Sequence, residues 1–240
     1  MYHALSKPVR RCLSSTLLAL TALLLTSQPA HAQPAPTPLR ATIDSLAQSF
    51  IATHKAPAVS IAVLRGTDTL VLHGYGQADL DQQVPASATT LYRIGSITKQ
   101  FTAAAVMQLV EKGKVALDDP ISLHVPGLPT AWQHVTVRQL LNHTSGIPSY
   151  TDVGERWARR WREDMPPDTI VAITAADSMW FAPGTDWRYD NTGYVVLGML
   201  LDHVSGVPYP RFIEQKLLRP LGLEDSWYCD MVRVLPGRAP

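Results

Sequence analysis

Strand-like and helix-like patterns are unevenly distributed along this chain, and that imbalance constrains its fold most. Ala58 to Leu64 (AVSIAVL) and Thr69 to His73 are short β-rich runs joined by Gly66-Thr67-Asp68. They read as a hairpin, with Gly74 and Gly76 expected to end it. Gln77 to Thr90 reads as irregular surface chain, and no convincing strand follows Asn191. A lone two-stranded hairpin is at best marginally stable in water. The pattern therefore predicts an α+β protein, an antiparallel sheet flanked by helices, whose sheet needs strands that this chain does not supply.

The helical signals are plentiful. Leu39, Ile43, Leu46, Ala47, Phe50 and Ile51 recur at helical spacing, predicting a helix from about Pro38 to His54 with one face on the core. After Ser96 comes an apolar helical stretch containing Phe101, Ala104, Ala105, Met107, Leu109 and Val110, stopped by Gly113. Further helices are expected over Thr136 to Asn142, Asp168 to Met179, Thr192 to Val204 (closed by Gly206) and Pro210 to Leu218. Glu155 to Asp164 (ERWARRWRED) reads as a solvated helix whose Trp157 and Trp161 pack inward, or else as the rim of a cleft. No internal repeat and no second domain is evident.

The amino terminus has a different character. Lys7, Arg10 and Arg11 precede the apolar run Leu17 to Leu25, and Ala30-His31-Ala32 is a small-x-small site. That order predicts a secretory signal over residues 1–32, cleaved after Ala32. The apolar run is too short to span a bilayer, which takes about 20 residues. Residues 33–38 (QPAPTP) read as a stiff linker, and 39–240 as the folded domain, incomplete at its carboxyl end. Removing the signal would also remove Cys12. The remaining Cys229 cannot form an intramolecular disulfide and reads as a buried or idle thiol. With 21 Lys+Arg against 20 Asp+Glu, the net charge of +1 gives no reason to expect nucleic acid or an anionic membrane as partner.

Two short segments carry the chemistry. Ser96-Ile97-Thr98-Lys99 places a serine and a lysine three apart, on one helix face. Ser96 follows Gly95 at the helix start, where backbone N–H groups are free to meet an oxyanion. A serine hydroxyl needs a base to take its proton, and a partly desolvated Lys99 can serve. Tyr189-Asp190-Asn191 follows the Pro183-Gly184 turn. A tyrosine beside a lysine can relay protons, and an asparagine can hold a substrate amide through donor and acceptor. The eight histidines show no metal-binding spacing, no G-x-S-x-G elbow occurs, and no cofactor is expected.

Together these segments resemble a known family. Ser96 to Lys99 within IGSITKQFTAAAVMQLVEKGKVALDDP is similar to its nucleophile helix. His143-Thr144-Ser145-Gly146-Ile147-Pro148 is similar to its HTSGIP loop, and PGTDWRYDNTGYVVLG to its Y-x-N segment. The family is that of class C β-lactamases, D-alanyl-D-alanine carboxypeptidases and related esterases, and the similarity runs from about Ala58 to Leu223. It implies a β-lactamase/transpeptidase-like fold. It implies that Ser96 is acylated, that Lys99 deprotonates it and that Tyr189 shares the proton transfer and helps activate the deacylating water. Asn191 would be the polar substrate-side residue. Tyrosine stands where the class A enzymes carry the serine of S-D-N, which points to the class C-like branch.

One departure is clear. The family's third motif, Lys-Thr-Gly or His-x-Gly, lies after Y-x-N, and nothing after Asn191 matches it. His143 to Gly146 resembles it by letters but precedes Y-x-N, so it is assigned a structural role in the loop. The expectation is therefore a periplasmic or secreted serine hydrolase acting on a small-molecule or peptide substrate, a β-lactam, D-alanyl peptide or small ester. No stable membrane insertion is expected after signal cleavage. A non-catalytic, penicillin-binding-like or truncated inactive module is the alternative.

Overall fold

The computed structural model describes residues 37–53 and 56–230. The expected signal and most of the linker lie outside the described residues. The chain divides into two compact units, one up to Thr90 and one from Leu91 onward.

The first unit contains helix α1 (Thr37–Ala52) and strands β1 (Ala58–Arg65), β2 (Asp68–Asp79) and β3 (Val84–Pro85). The strands form an antiparallel sheet in the order β1-β2-β3. The predicted turn is present: Arg65 pairs with Asp68, and Gly66 has φ of 60°. Helix α1 lays Leu39, Ile43, Ala47 and Ile51 against Val71 and Tyr75 of β2. The Tyr75 hydroxyl donates to Asp44 at 2.7 Å, tying helix to strand. Leu46 and Phe50 are exposed, so the buried stripe follows one i, i+4 row and is narrower than the sequence suggests.

Gly74 and Gly76 do not end the hairpin; β2 runs through both of them. Their role is close approach. A Cβ on Gly74 would lie 2.4 Å from the Ser87 nitrogen, and one on Gly76 would lie 2.1 Å from the Pro57 carbonyl oxygen. The chain at Pro57 and at Ala86 is then hydrogen-bonded across Gly76, through Gln77 N–H to Pro57 at 3.0 Å and Ala86 N–H to Gly76 at 2.9 Å. Glycine in a strand marks backbone approach as readily as termination.

The second unit is helical, with α2 (Thr98–Glu111), α3 (Val137–Leu141), α4 (Glu155–Ala158), α5 (Pro167–Thr174), α6 (Asn191–Ser205) and α7 (Tyr209–Ile213). Among the described residues no extended strand follows β3. Helix α6 is its axis, burying Val196, Leu197, Leu200 and Leu201 against Ala105, Val106 and Leu109 of α2. The Thr102 and Tyr209 hydroxyls meet at 2.7 Å, joining α2 to α7. Gly206, in the left-handed conformation at φ 69°, ends α6 as expected. A π-helical turn (Glu214–Leu218) continues α7 and buries Leu217 and Leu218.

Several elements depart from expectation. Helix α5 stops at Thr174 because Arg156 reaches in from outside: its guanidinium donates to the Ile173 carbonyl oxygen at 3.1 Å and pairs with Asp177. The segment ERWARRWRED makes one helical turn only. Trp157 packs edge-on against Tyr150 at 4.6 Å, but Trp161 is 59% exposed with Arg162 over its ring. Cys229 is a free and exposed thiol, not a buried one.

Candidate active site

The nucleophile segment begins at Gly95, whose φ of 53° turns the chain into a 3₁₀ turn over Gly95–Ile97 that leads directly into α2. A 3₁₀ turn holds three residues, so side chains three apart line up along it. Lys99 Nζ accordingly lies 3.4 Å from Ser96 Oγ. Ser96 is exposed and Lys99 half-buried. Ser96 stands in the turn that opens α2, the kind of position from which backbone N–H groups can meet an oxyanion, although the Ile97 N–H donates to the Ile94 carbonyl at 3.2 Å.

The second segment leads directly into α6, with Asp190 as its N-cap and Asn191 as its first residue. The Tyr189 hydroxyl donates to Ser96 Oγ at 2.6 Å, and Lys99 Nζ donates to Asn191 Oδ1 at 2.7 Å. Lys99 Nζ also sits 4.7 Å from the centroid of the Tyr189 ring and 5.3 Å from that of Tyr194. All four residues singled out from the sequence thus converge. Burial raises the Tyr189 phenol pKa, but the hydrogen bonds with Lys99 and Ser96 and the Lys99 charge outweigh it, leaving the phenol below its ordinary range. Among the described residues no three His, Cys, Asp or Glu side chains are grouped to hold a metal ion.

The HTSGIP loop supports this arrangement. Thr144 Oγ1 donates to Asn142 Oδ1 at 2.6 Å, and Ile147 N–H to Ser145 Oγ at 3.1 Å. Ser145 Oγ also donates to the Asp190 carboxylate at 3.2 Å. Asp190 caps α6, accepting the Gly193 N–H at 2.9 Å. A Cβ on Gly193 would lie 2.6 Å from that carboxylate, so glycine is what leaves room for the cap. Gly146 has φ of 75°, and a Cβ there would lie 2.1 Å from the Phe181 carbonyl oxygen. The loop therefore clasps the chain leading into Tyr189, with Gly184 N–H donating to Thr144 at 2.8 Å and Trp180 N–H to Gly146 at 2.7 Å.

Sequence reasoning missed three contributors. The Asn191 amide nitrogen donates to Ser149 Oγ at 3.2 Å and to Thr151 Oγ1 at 3.1 Å, which fixes its oxygen toward Lys99. His143 stacks on Tyr189 with ring centroids 4.7 Å apart. The only available signal was the HTSGIP motif, which contains His143 and immediately precedes Ser149 and Thr151.

A serine whose oxygen meets both a lysine ammonium and a tyrosine hydroxyl, at the mouth of a helix, defines a serine nucleophile site. The family model described as Beta-lactamase matches residues 43–230. The chain is 33% identical over 171 residues to Penicillin-binding protein 4* of Bacillus subtilis, covering 70% of this chain and 37% of that protein. In structure it resembles the octameric penicillin-binding protein homologue from Pyrococcus abyssi (TM-score 0.68, 36% identity, 77% of this chain and 43% of that one). It also resembles D-amino acid amidase from Ochrobactrum anthropi SV3 (TM-score 0.73, 32% identity, 85% of this chain and 57% of that one). The chain belongs to the β-lactamase family of serine hydrolases and has its β-lactamase/transpeptidase-like fold. It spans well under half the length of the curated relatives it matches, 37% and 38% of the first two.

Proposed function

We propose that the full-length protein is an exported serine hydrolase that forms an acyl-enzyme on an amide or ester: a β-lactam, a D-alanyl peptide or a small ester. The observation that carries this reading is the 2.6 Å contact of Tyr189 Oη with Ser96 Oγ, with Lys99 Nζ beside both. In the form with Lys99 deprotonated, Ser96 Oγ attacks the carbonyl carbon while its proton passes to the Lys99–Tyr189 pair. The resulting oxyanion faces the N–H groups of the helix mouth. Collapse breaks the bond to the leaving group, which takes the proton. Water then attacks the acyl-serine, with the same pair accepting its proton, and releases the acid and free Ser96. The tyrosine of Y-x-N favours the class C-like branch. Relatives named as a penicillin-binding protein and a D-amino acid amidase favour an amide substrate.

A fluorophosphonate or fluorescent penicillin probe, followed by peptide mapping, tests the assignment. Label is expected on Ser96 and absent from Ser96→Ala; label elsewhere overturns it. Export, to the periplasm or the medium, rests on the signal pattern in residues 1–32. It predicts a mature protein beginning at Gln33; recovery from the cytoplasm with Met1 intact contradicts it.

A further inference from the structure

His143 occupies an unusual position. Its φ of 64° lies in the left-handed region, uncommon for residues other than glycine but entered more readily by histidine, asparagine and aspartate than by the rest. That conformation turns its carbonyl and its ring toward the same piece of chain. The His143 carbonyl oxygen accepts the Arg188 N–H at 3.1 Å, and Nδ1 accepts the Asp190 N–H at 3.2 Å. The two donors flank Tyr189 on either side, and the imidazole itself stacks on the Tyr189 ring. Tyr194 of α6 lies behind it at 5.3 Å and Trp187 edge-on at 6.1 Å.

We infer that His143 is a positioning residue of the Ser96 site: its neutral imidazole and its carbonyl grip the backbone on both sides of Tyr189 and hold the phenol on Ser96 Oγ. The inference rests on the serine-hydrolase reading for its kinetic consequences, though not for its geometry.

The grip depends on protonation. An imidazole that accepts at Nδ1 carries its proton on Nε2. A second proton would land on Nδ1, facing the Asp190 N–H donor, and the hydrogen bond would be lost. The charged and titratable groups around the ring are Lys99 from α2, Tyr189 from the segment that leads into α6, and Tyr194 from α6. Burial and the nearby Lys99 charge disfavour a cationic ring and outweigh the Asp190 backbone, which favours it, holding the pKa below the ordinary histidine value. Tyr189 is thus held in aim at neutral pH and released in acid.

The test has two arms, both on the full-length protein. In the first, long-range ¹H–¹⁵N spectra read the His143 tautomer without reference to activity. Protonation at Nε2 is expected, persisting below the pH at which an ordinary histidine titrates; an Nδ1–H tautomer overturns the inference. In the second, acylation of Ser96 by p-nitrophenyl butyrate is followed against pH in wild type, H143N and H143F. Asparagine tolerates the left-handed backbone and keeps an acceptor, so H143N should stay within a few fold of wild type at pH 8. The wild-type rate should steepen by one proton on the acid side, and H143N should lack that step. H143F keeps a ring but leaves the Asp190 N–H unpaired, and should acylate about tenfold more slowly. An acid step retained in H143N, or a wild-type rate and profile in H143F, overturns the inference. If wild type fails to acylate at Ser96, the serine-hydrolase reading falls and the spectra alone decide the role of His143.

Discussion

Lys99 Nζ donates to Asn191 Oδ1 at 2.7 Å across 92 residues of chain, and this contact orients the ammonium toward the serine. The Asn191 amide cannot turn over without placing its nitrogen against Lys99 and its oxygen away from it, because Ser149 and Thr151 accept from that nitrogen. Asn191→Ala should therefore slow acylation about 10- to 100-fold through loss of one hydrogen bond to a charged group. Asn191→Asp should behave differently. Its carboxylate favours the protonated lysine, so the rate profile should move to higher pH. Stopped-flow acylation of both variants across pH separates the two effects.

Removing the proton-transfer groups should cost more. Lys99→Ala is expected to reduce acylation of Ser96 roughly 10²–10⁴-fold, the usual contribution of a positioned acid–base group. Tyr189→Phe should slow turnover within the same range while the thermal melt stays close to wild type, since this ring is partly exposed. Wild-type turnover in Tyr189→Phe would remove the phenol from the mechanism.

Asp190 links stability to pH. Its carboxyl is buried, and Oδ1 has no partner among the described residues. Burial lifts its pKa to about 7, against the pull of the Gly193 and Thr192 N–H groups, the Ser145 hydroxyl and the Lys99 charge. Between the unfolded value of 3.8 and about 7, the folded protein keeps a proton that the unfolded chain has lost. The contribution of this group is therefore complete below the unfolded value and declines as pH rises toward 7. Asp190→Asn should remove that slope, with a relative gain at pH 8 on the order of 2–4 kcal/mol as an upper bound. Urea unfolding of both proteins at pH 5 and pH 8 measures it; an unchanged slope in the variant would contradict the assignment.

Gly146 offers a purely steric check. Its left-handed backbone and the Phe181 carbonyl 2.1 Å from any added Cβ make alanine doubly unfavourable there. Gly146→Ala should lose at least about 2 kcal/mol of stability. Gly127 has a similar φ of 76° and nothing within 4 Å of an added Cβ, so Gly127→Ala should lose less. Paired thermal melts give the comparison.

Features set by local chemistry were readable in the sequence. The turn at Gly66, the short helix within 136–142 and the αL end of α6 at Gly206 follow from residues within a few positions of one another. Family motifs located Ser96, Lys99, Tyr189 and Asn191, and the structure brings them within hydrogen-bonding reach. What escaped depends on distant partners. Gly74 and Gly76 looked like strand ends because Pro57, Ala86 and Ser87, which approach them, carry no periodic signal. Helix α5 was overestimated because Arg156, from outside the helix, occupies its last turn. His143 looked like one letter of a loop motif, since its reach to both sides of Tyr189 exists only in the left-handed conformation.

The contact between Tyr189 and Ser96 closes a loop of 93 residues. Closing a flexible loop of that length costs roughly 4 kcal/mol of chain entropy beyond the constant term. Helices such as α2 and α6 rest on local contacts, whereas the phenol reaches the serine only where those two helices are packed together. Reactivity at Ser96 is thus a late event in folding and an early casualty of loosening. A substitution such as Leu197→Ala, far from any proton, should quiet the serine before circular dichroism registers a loss of helix, which makes Ser96 labelling a sensitive gauge of whether this helical unit is fully assembled.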